Sequence, residues 1–257
     1  MTQSSQLEKK IRHVLKENDL IGLEEEIINT LVPCIRIKPQ EEEELTIGTS
    51  KFGGYPDLPP GMDFPRLHGE PLSFIGQYNL EEIKQTGFPS PLPDRGMLYF
   101  FCSLPPSETK GQVLYASDSP DNLYPVPFPD DLPRENCFPE HKMKFLLDQT
   151  LPNVDAGEEM DEVFYDLMDQ LYELENQQSG FHQIFGLPFE IDRNVFQQCE
   201  VESGKKGDQW NLLLQIDSDE QLEMAWGDLG ILYFCISEKD LKEVNFPETQ
   251  MVMQSYG

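Results

Sequence analysis

Positive charge is scarce in this 257-residue chain. Only 19 lysines and arginines face 47 aspartates and glutamates, a formal net charge of −28. A field of that sign repels nucleic-acid phosphates and anionic membrane surfaces, so neither is expected as a partner. Long apolar runs are missing too. The longest, Met97–Cys102 and Ile231–Ile236, have six residues, against the roughly 20 that a membrane-crossing helix needs. Met1–Lys10 is polar and lacks the apolar stretch of a secretory leader, which predicts a cytoplasmic protein.

Histidine and cysteine are sparse and scattered. The four histidines, His13, His68, His141 and His182, lie far apart, with no His-Glu-x-x-His and no Cys/His cluster, so no zinc site is expected. The five cysteines form no Cys-x-x-Cys, and their odd number suits unpaired thiols in a reducing compartment. Phosphate-binding glycine loops and a Gly-x-Ser-x-Gly nucleophile turn are also absent. The sequence thus points to no cofactor, no metal and no catalytic set. Asp217-Ser218-Asp219 with Asp228 partly matches a calcium loop, but Leu222 stands where that loop needs glycine and Asp228 where it needs glutamate. A helix cap explains Asp217 better.

Aromatic residues are plentiful: 16 phenylalanines and 9 tyrosines. Chains that stay unfolded lack such residues because they cannot bury enough surface to offset chain entropy. Ser5-Gln6-Leu7-Glu8 has capping-box form, and Leu7, Ile11, Val14 and Leu15 follow at helical spacing, which predicts a helix over about residues 6–17. A second short helix is expected through Glu24–Thr30, then strands at Ile35–Lys38 and Leu45–Ile47, separated by a solvated acidic turn at Glu41–Glu44. Residues 56–139 hold 16 of the 21 prolines, which predicts short strands joined by extended loops. Met160, Val163, Phe164, Leu167, Leu171 and Leu174 mark an amphipathic helix over about residues 158–177. Its other face carries Asp161, Glu162, Asp166 and Asp169 among other acids. Like charges one turn apart weaken an isolated helix, so the apolar stripe must hold it to the core.

Two segments of the chain read alike. Phe52-Gly53-Gly54-Tyr55-Pro56, Ser73–Asn79 and Asp94–Phe100 recur in order as Phe185-Gly186-Leu187-Pro188, Asn211–Asp217 and Asp228–Phe234. The first piece reads as a strand end running into a turn. The second is an apolar strand closed by Asn79 or Asp217, each three residues before a glutamate in capping-box form, so a short helix is expected from Leu80 and from Ser218. The third is a buried aromatic strand. Gln77 and Gln215 interrupt their strands at matching places, and a buried amide must find partners. Together these features predict an α+β fold in one domain spanning residues 1–257. It would be internally duplicated, with mainly antiparallel β halves at about 45–120 and 183–250.

Lys51–Pro59, Pro71–Leu80 and Trp226-Gly227-Asp228-Leu229-Gly230 give the chain its family likeness. It resembles the YwqG-like family of bacterial domains of unknown function over nearly its whole length. The resemblance implies an α+β fold with internal duplication and supplies no catalytic residue.

Two functional readings follow from the residues. From residue 145 to 238 there are 21 acids and three bases, and none of the bases precedes Arg193. A surface so charged steers basic proteins, which suggests a binding protein of toxin-neutralising or regulatory kind that uses Asp161, Glu162, Asp166 and Asp169. The alternative is a hydrolase with its site between the halves. Phe52, Gly54, Trp226 and Asp228 would line that site, and Gln77 and Gln215 would reach its ligand.

Overall fold

Apolar strands buried on both faces dominate one large sheet, and an aromatic strand lies within each of its two arms. A computed structural model describes residues 6–42, 44–104, 109–151, 170 and 181–256. The amphipathic helix expected over 158–177 lies outside the described residues apart from Gln170, and with it Asp161, Glu162, Asp166 and Asp169.

The chain opens with α1 (Gln6–Glu17) and α2 (Glu24–Thr30), which bury Leu7, Ile11, Leu15 and Ile27 in a small cluster closed by Leu31 and Leu151. Then come β1 (Val32–Gln40), β2 (Lys51–Phe52), β3 (Asp57–Leu58), β4 (Arg66–Leu67), β5 (Glu70–Pro71) and β6 (Ser73–Asn79). After α3 (Leu80–Gln85) follow β7 (Met97–Cys102), β8 (Gly111–Ala116), β9 (Tyr124–Pro125), β10 (His141–Thr150) and β11 (Gln183–Phe185). The chain ends with α4 (Val195–Ser203), β12 (Trp210–Asp217), β13 (Ile231–Ser237), α5 (Glu238–Lys242) and β14 (Gln250–Gln254).

Ten strands form a single antiparallel sheet in the order β14-β13-β12-β11-β1-β10-β2-β6-β7-β8. The order reads alike from either end. Outward from the β1–β10 pair, β2, β6, β7 and β8 on one side match β11, β12, β13 and β14 on the other. Gln77 pairs with Tyr99 and Gln215 with Tyr233, and both strand pairs carry an irregularity two positions earlier, at Phe74/Gly76 and Leu212/Leu214. Phe74, Tyr99 and Phe101 pack on the outer face of one arm, and Leu212, Tyr233 and Cys235 on the outer face of the other. Leu98 and Leu232 share the central core.

The central pair crosses over. β1 precedes the first arm in sequence but bonds to β11 of the second, whereas β10 bonds to β2 of the first. Ile37 N–H donates to His182 O at 2.8 Å, and Met143 N–H donates to Ser50 O at 2.9 Å, in matching positions. Lys38 and Lys144 are then equivalent, and they are also direct partners across the pair.

The sheet curls about its inner face until its edges meet. Phe100 and Phe234, from opposite arms, have ring centroids 5.3 Å apart. At the rim β8 crosses β14 so closely that a Cβ on Gly111 would stand 2.5 Å from Met251 Cβ. Burying one such phenylalanine is worth roughly 1.5–3 kcal/mol, and these two lie in the largest apolar cluster.

Three local expectations are corrected. Leu45–Ile47 is not a strand; Thr46 O instead accepts from Thr49 N–H in a turn. No helix starts at Ser218. Asp217 spends its carboxylate on the Phe181 N–H, and Ser218 Oγ accepts from Trp226 N–H, which closes residues 218–226 into tight turns with Glu223 at φ +52°. Asn79 does cap, accepting from Glu81 N–H, and α3 follows. The first repeat piece is also shifted by one. Phe52 matches Ile184 instead of Phe185, because Lys51 and Gln183 face Gln77 and Gln215. Gly53 and Phe185 share left-handed angles of +56° and +59°, and Gly54 and Gly186 share +66° and +69°.

Candidate functional site

The turn after β2 and the turn after β11 are held by the same device. Gln77 Oε1 accepts from Asp57 N–H and Gln215 Oε1 from Phe189 N–H, both at 2.9 Å. Their amide nitrogens donate to Thr49 O and Phe181 O. Tyr99 and Tyr233 donate to the carbonyls of Asp57 and Phe189, each at 2.6 Å. Both glutamines are fully buried. Four of their amide bonds go to loop backbone and a fifth, from Gln77 Nε2, to the Asp57 carboxylate, so Gln77 and Gln215 position loops.

The two arms differ in the charges set around this frame. In the first, buried Lys51 donates to Glu140 Oε2 at 2.7 Å and stands 3.5 Å from Asp57 Oδ2. That oxygen also accepts from Gly48 N–H and Gln77 Nε2. Gln183 and Phe189 replace Lys51 and Asp57 in the second arm. Gly54 sits against Glu140, whose side chain is 38% exposed.

In the second arm His182 takes the place of Ser50. Asp217 N–H donates to His182 Nδ1 at 3.2 Å, as Asn79 N–H donates to Ser50 Oγ at 2.8 Å. The proton of the neutral ring therefore sits on Nε2 and is donated to Asp219 at 3.0 Å. That bond holds the Asp219 carboxyl below the usual carboxylate range. Burial pushes Asp217 and Glu82 the other way.

The residues expected to line a cleft between the arms are packed. Phe52 lies against the His182 ring at 5.3 Å, and Trp226 against Phe138 at 5.7 Å. Both are almost wholly buried; of the four, Gly54 is partly exposed and Asp228 exposed. Tyr78 Oη, His141 Nδ1 and Trp226 Nε1 are buried with no hydrogen-bond partner among the described residues. Among those residues no three His, Cys, Asp or Glu side chains are grouped as a metal ion would need, and no disulfide joins any of the five cysteines. No helix is long and apolar enough to cross a membrane among the described residues.

Sequence reasoning passed over β10, which supplies Glu140's neighbour His141 and half of the central pair. The signal was present: His141, Met143 and Phe145 alternate with Lys142 and Lys144. It also passed over the ion cluster around Lys51, whose members are far apart in sequence. Residues 50–255 match the model of a family described as a domain of unknown function, DUF1963. No curated protein matches the chain.

Proposed function

The chain belongs to the DUF1963 family, and on that footing we propose that it is a binding protein whose negative surface receives a basic protein. One observation carries this reading. At least nine of the 19 lysines and arginines are already ion-paired within the described residues. Even with every cation paired, 28 of the 47 carboxylates would have no cation to offset them, so the net field of the protein is strongly negative. Such a field raises the encounter rate with a cationic partner and disfavours nucleic acid and anionic membranes. A toxin-neutralising or regulatory role fits this chemistry, and the acidic segment 158–177 is its sequence counterpart.

The close packing of Phe52 and Trp226 lends less support to a hydrolytic cleft between the arms. The matched registers of the two arms support a reading of them as copies of one ancestral segment. The motifs at 51–59, 71–80 and 226–230 support a place near the YwqG-like members of the family.

The test is a titration of a recovered partner against salt. Screening shortens the reach of charge from about 10 Å at 0.1 M to about 3 Å at 1 M, so affinity should fall steadily as salt rises. Affinity that stays level overturns the electrostatic reading.

A further inference from the structure

We propose that Cys199 and Cys235 form a redox clasp, in which a peroxide joins the two thiols into a disulfide that locks α4 onto β13 and a thiol reductant releases it. This goes beyond the basic-partner reading and does not depend on it. Cys199 stands at the middle of α4, and Cys235 lies on β13. Both are fully buried in the apolar cluster of the second arm. Their thiols are within hydrogen-bonding reach of each other. Registering the arms by Gln77 and Gln215 sets Cys235 in the place that Phe101 holds in the first arm. There Phe64 covers Phe101 with ring centroids 5.5 Å apart. Two thiols thus meet in one arm where two rings meet in the other, so packing alone does not call for sulfur.

While α4 is closed, oxidant does not reach the pair. Burial, and after it the neighbouring Cys199, holds the Cys235 thiol well above its ordinary range, so little thiolate forms there. The cover is thin, however. Of the nine residues of α4 only Val195 and Cys199 are wholly buried. A helix this short does not stand alone in water. Its start relies on Asn194 Oδ1, which accepts from Gln197 N–H at 2.9 Å, and its middle on Gln254 Nε2, which donates to Gln198 Oε1 at 2.9 Å. Elements that bury so little apolar surface open locally at low cost. Each opening of α4 uncovers both thiols together.

In the opened state one thiolate attacks an oxygen of hydrogen peroxide. The O–O bond breaks, and a sulfenic acid and water result. As α4 closes, the second thiol displaces the sulfenic oxygen as water and the S–S bond forms. Two thiols and one peroxide become one disulfide and two waters: the sulfurs lose two electrons and the peroxide takes them up. Cys199 and Cys235 are 36 residues apart, so the bridge closes a loop long enough to stabilise the fold by restricting the unfolded chain.

The test treats the full chain with hydrogen peroxide and follows it by peptide mass mapping and thermal melts. A linked Cys199–Cys235 peptide should accumulate. The melting temperature should rise by about 5–10 °C and fall back when dithiothreitol is added. Cys199→Ala and Cys235→Val should each abolish the rise. Asn194→Ala removes the cap of α4 and should speed bridging about five-fold, because opening limits access. Cys137, partly exposed, gauges the oxidant within the same molecule. If Cys137 is oxidised while Cys199 and Cys235 stay reduced, the clasp does not exist. Bridging with no rise in melting temperature overturns the lock, and bridging no faster in Asn194→Ala overturns the opening step.

Discussion

Gln77 and Gln215 stand at the same position in opposite arms of the sheet, each receiving one loop N–H at 2.9 Å and returning one amide hydrogen to another loop carbonyl. Replacing Gln215 with leucine strands a buried N–H and a buried carbonyl, which should cost about 2–4 kcal/mol. Gln77→Leu should cost more, because Asp57 also loses the donor that meets its carboxylate at 2.7 Å. The arms are far enough apart that the double variant should be additive within about 0.5 kcal/mol. Denaturant unfolding of the three variants measures this.

Tyr78 makes the opposite prediction. Its ring packs against Phe100 at 4.7 Å, but its hydroxyl has no partner among the described residues. Tyr78→Phe removes the unpaired group and keeps the ring, so stability should hold or rise by about 1 kcal/mol. A loss of stability would reveal an internal partner for the hydroxyl.

Two glycines with left-handed angles separate strain from space. Gly61, at φ +86°, has nothing within 4 Å of a Cβ position, so Gly61→Ala pays only backbone strain, about 1–2 kcal/mol. A Cβ on Gly53 would stand 2.1 Å from Pro139 O. Gly53→Ala should therefore cost more than Gly61→Ala and should displace the Phe138–Glu140 segment. Thermal melts and the near-ultraviolet signal of Trp226, which packs on Phe138, report both effects.

Acid should act in two stages. Asp217 and Glu82 have carboxyls raised by burial, so they take up protons first as the pH falls, and this favours the folded state. Asp219 is held low by the His182 bond, so its contribution is full above the ordinary carboxylate range and is lost as the pH drops towards its folded value. Asp219→Asn keeps an acceptor for His182 but cannot titrate. Its unfolding curves should show a shallower loss on the acid side than those of the wild type.

Much of the frame was legible because it rests on local rules. The span of α1 follows from its capping-box sequence and helical spacing, and the strands around Gln77 and Gln215 from apolar runs with a shared polar interruption. What escaped depends on distant partners. Asp217 has the form of a cap, yet the Phe181 N–H claims it from the segment before β11, 36 residues upstream. The one-residue shift near Phe185 was hidden because glycine is the usual mark of a left-handed turn. Phe185 adopts that angle at a cost of roughly 1–2 kcal/mol, offset by flat stacking on Phe88 at 5.3 Å and 2°. Whether the arms share one sheet could not be read from either arm, since β1 and β10 join them from outside the repeats.

Because β1 is held by β11 and β10 by β2, neither arm owns all the strands that seal its inner edge. A cut in the chain between Ala116 and His141 would yield two pieces, each carrying a strand that only the other can use. Such pieces are built to find one another, much as the subunits of an exchanged dimer do, and the protein is a natural candidate for reassembly from fragments.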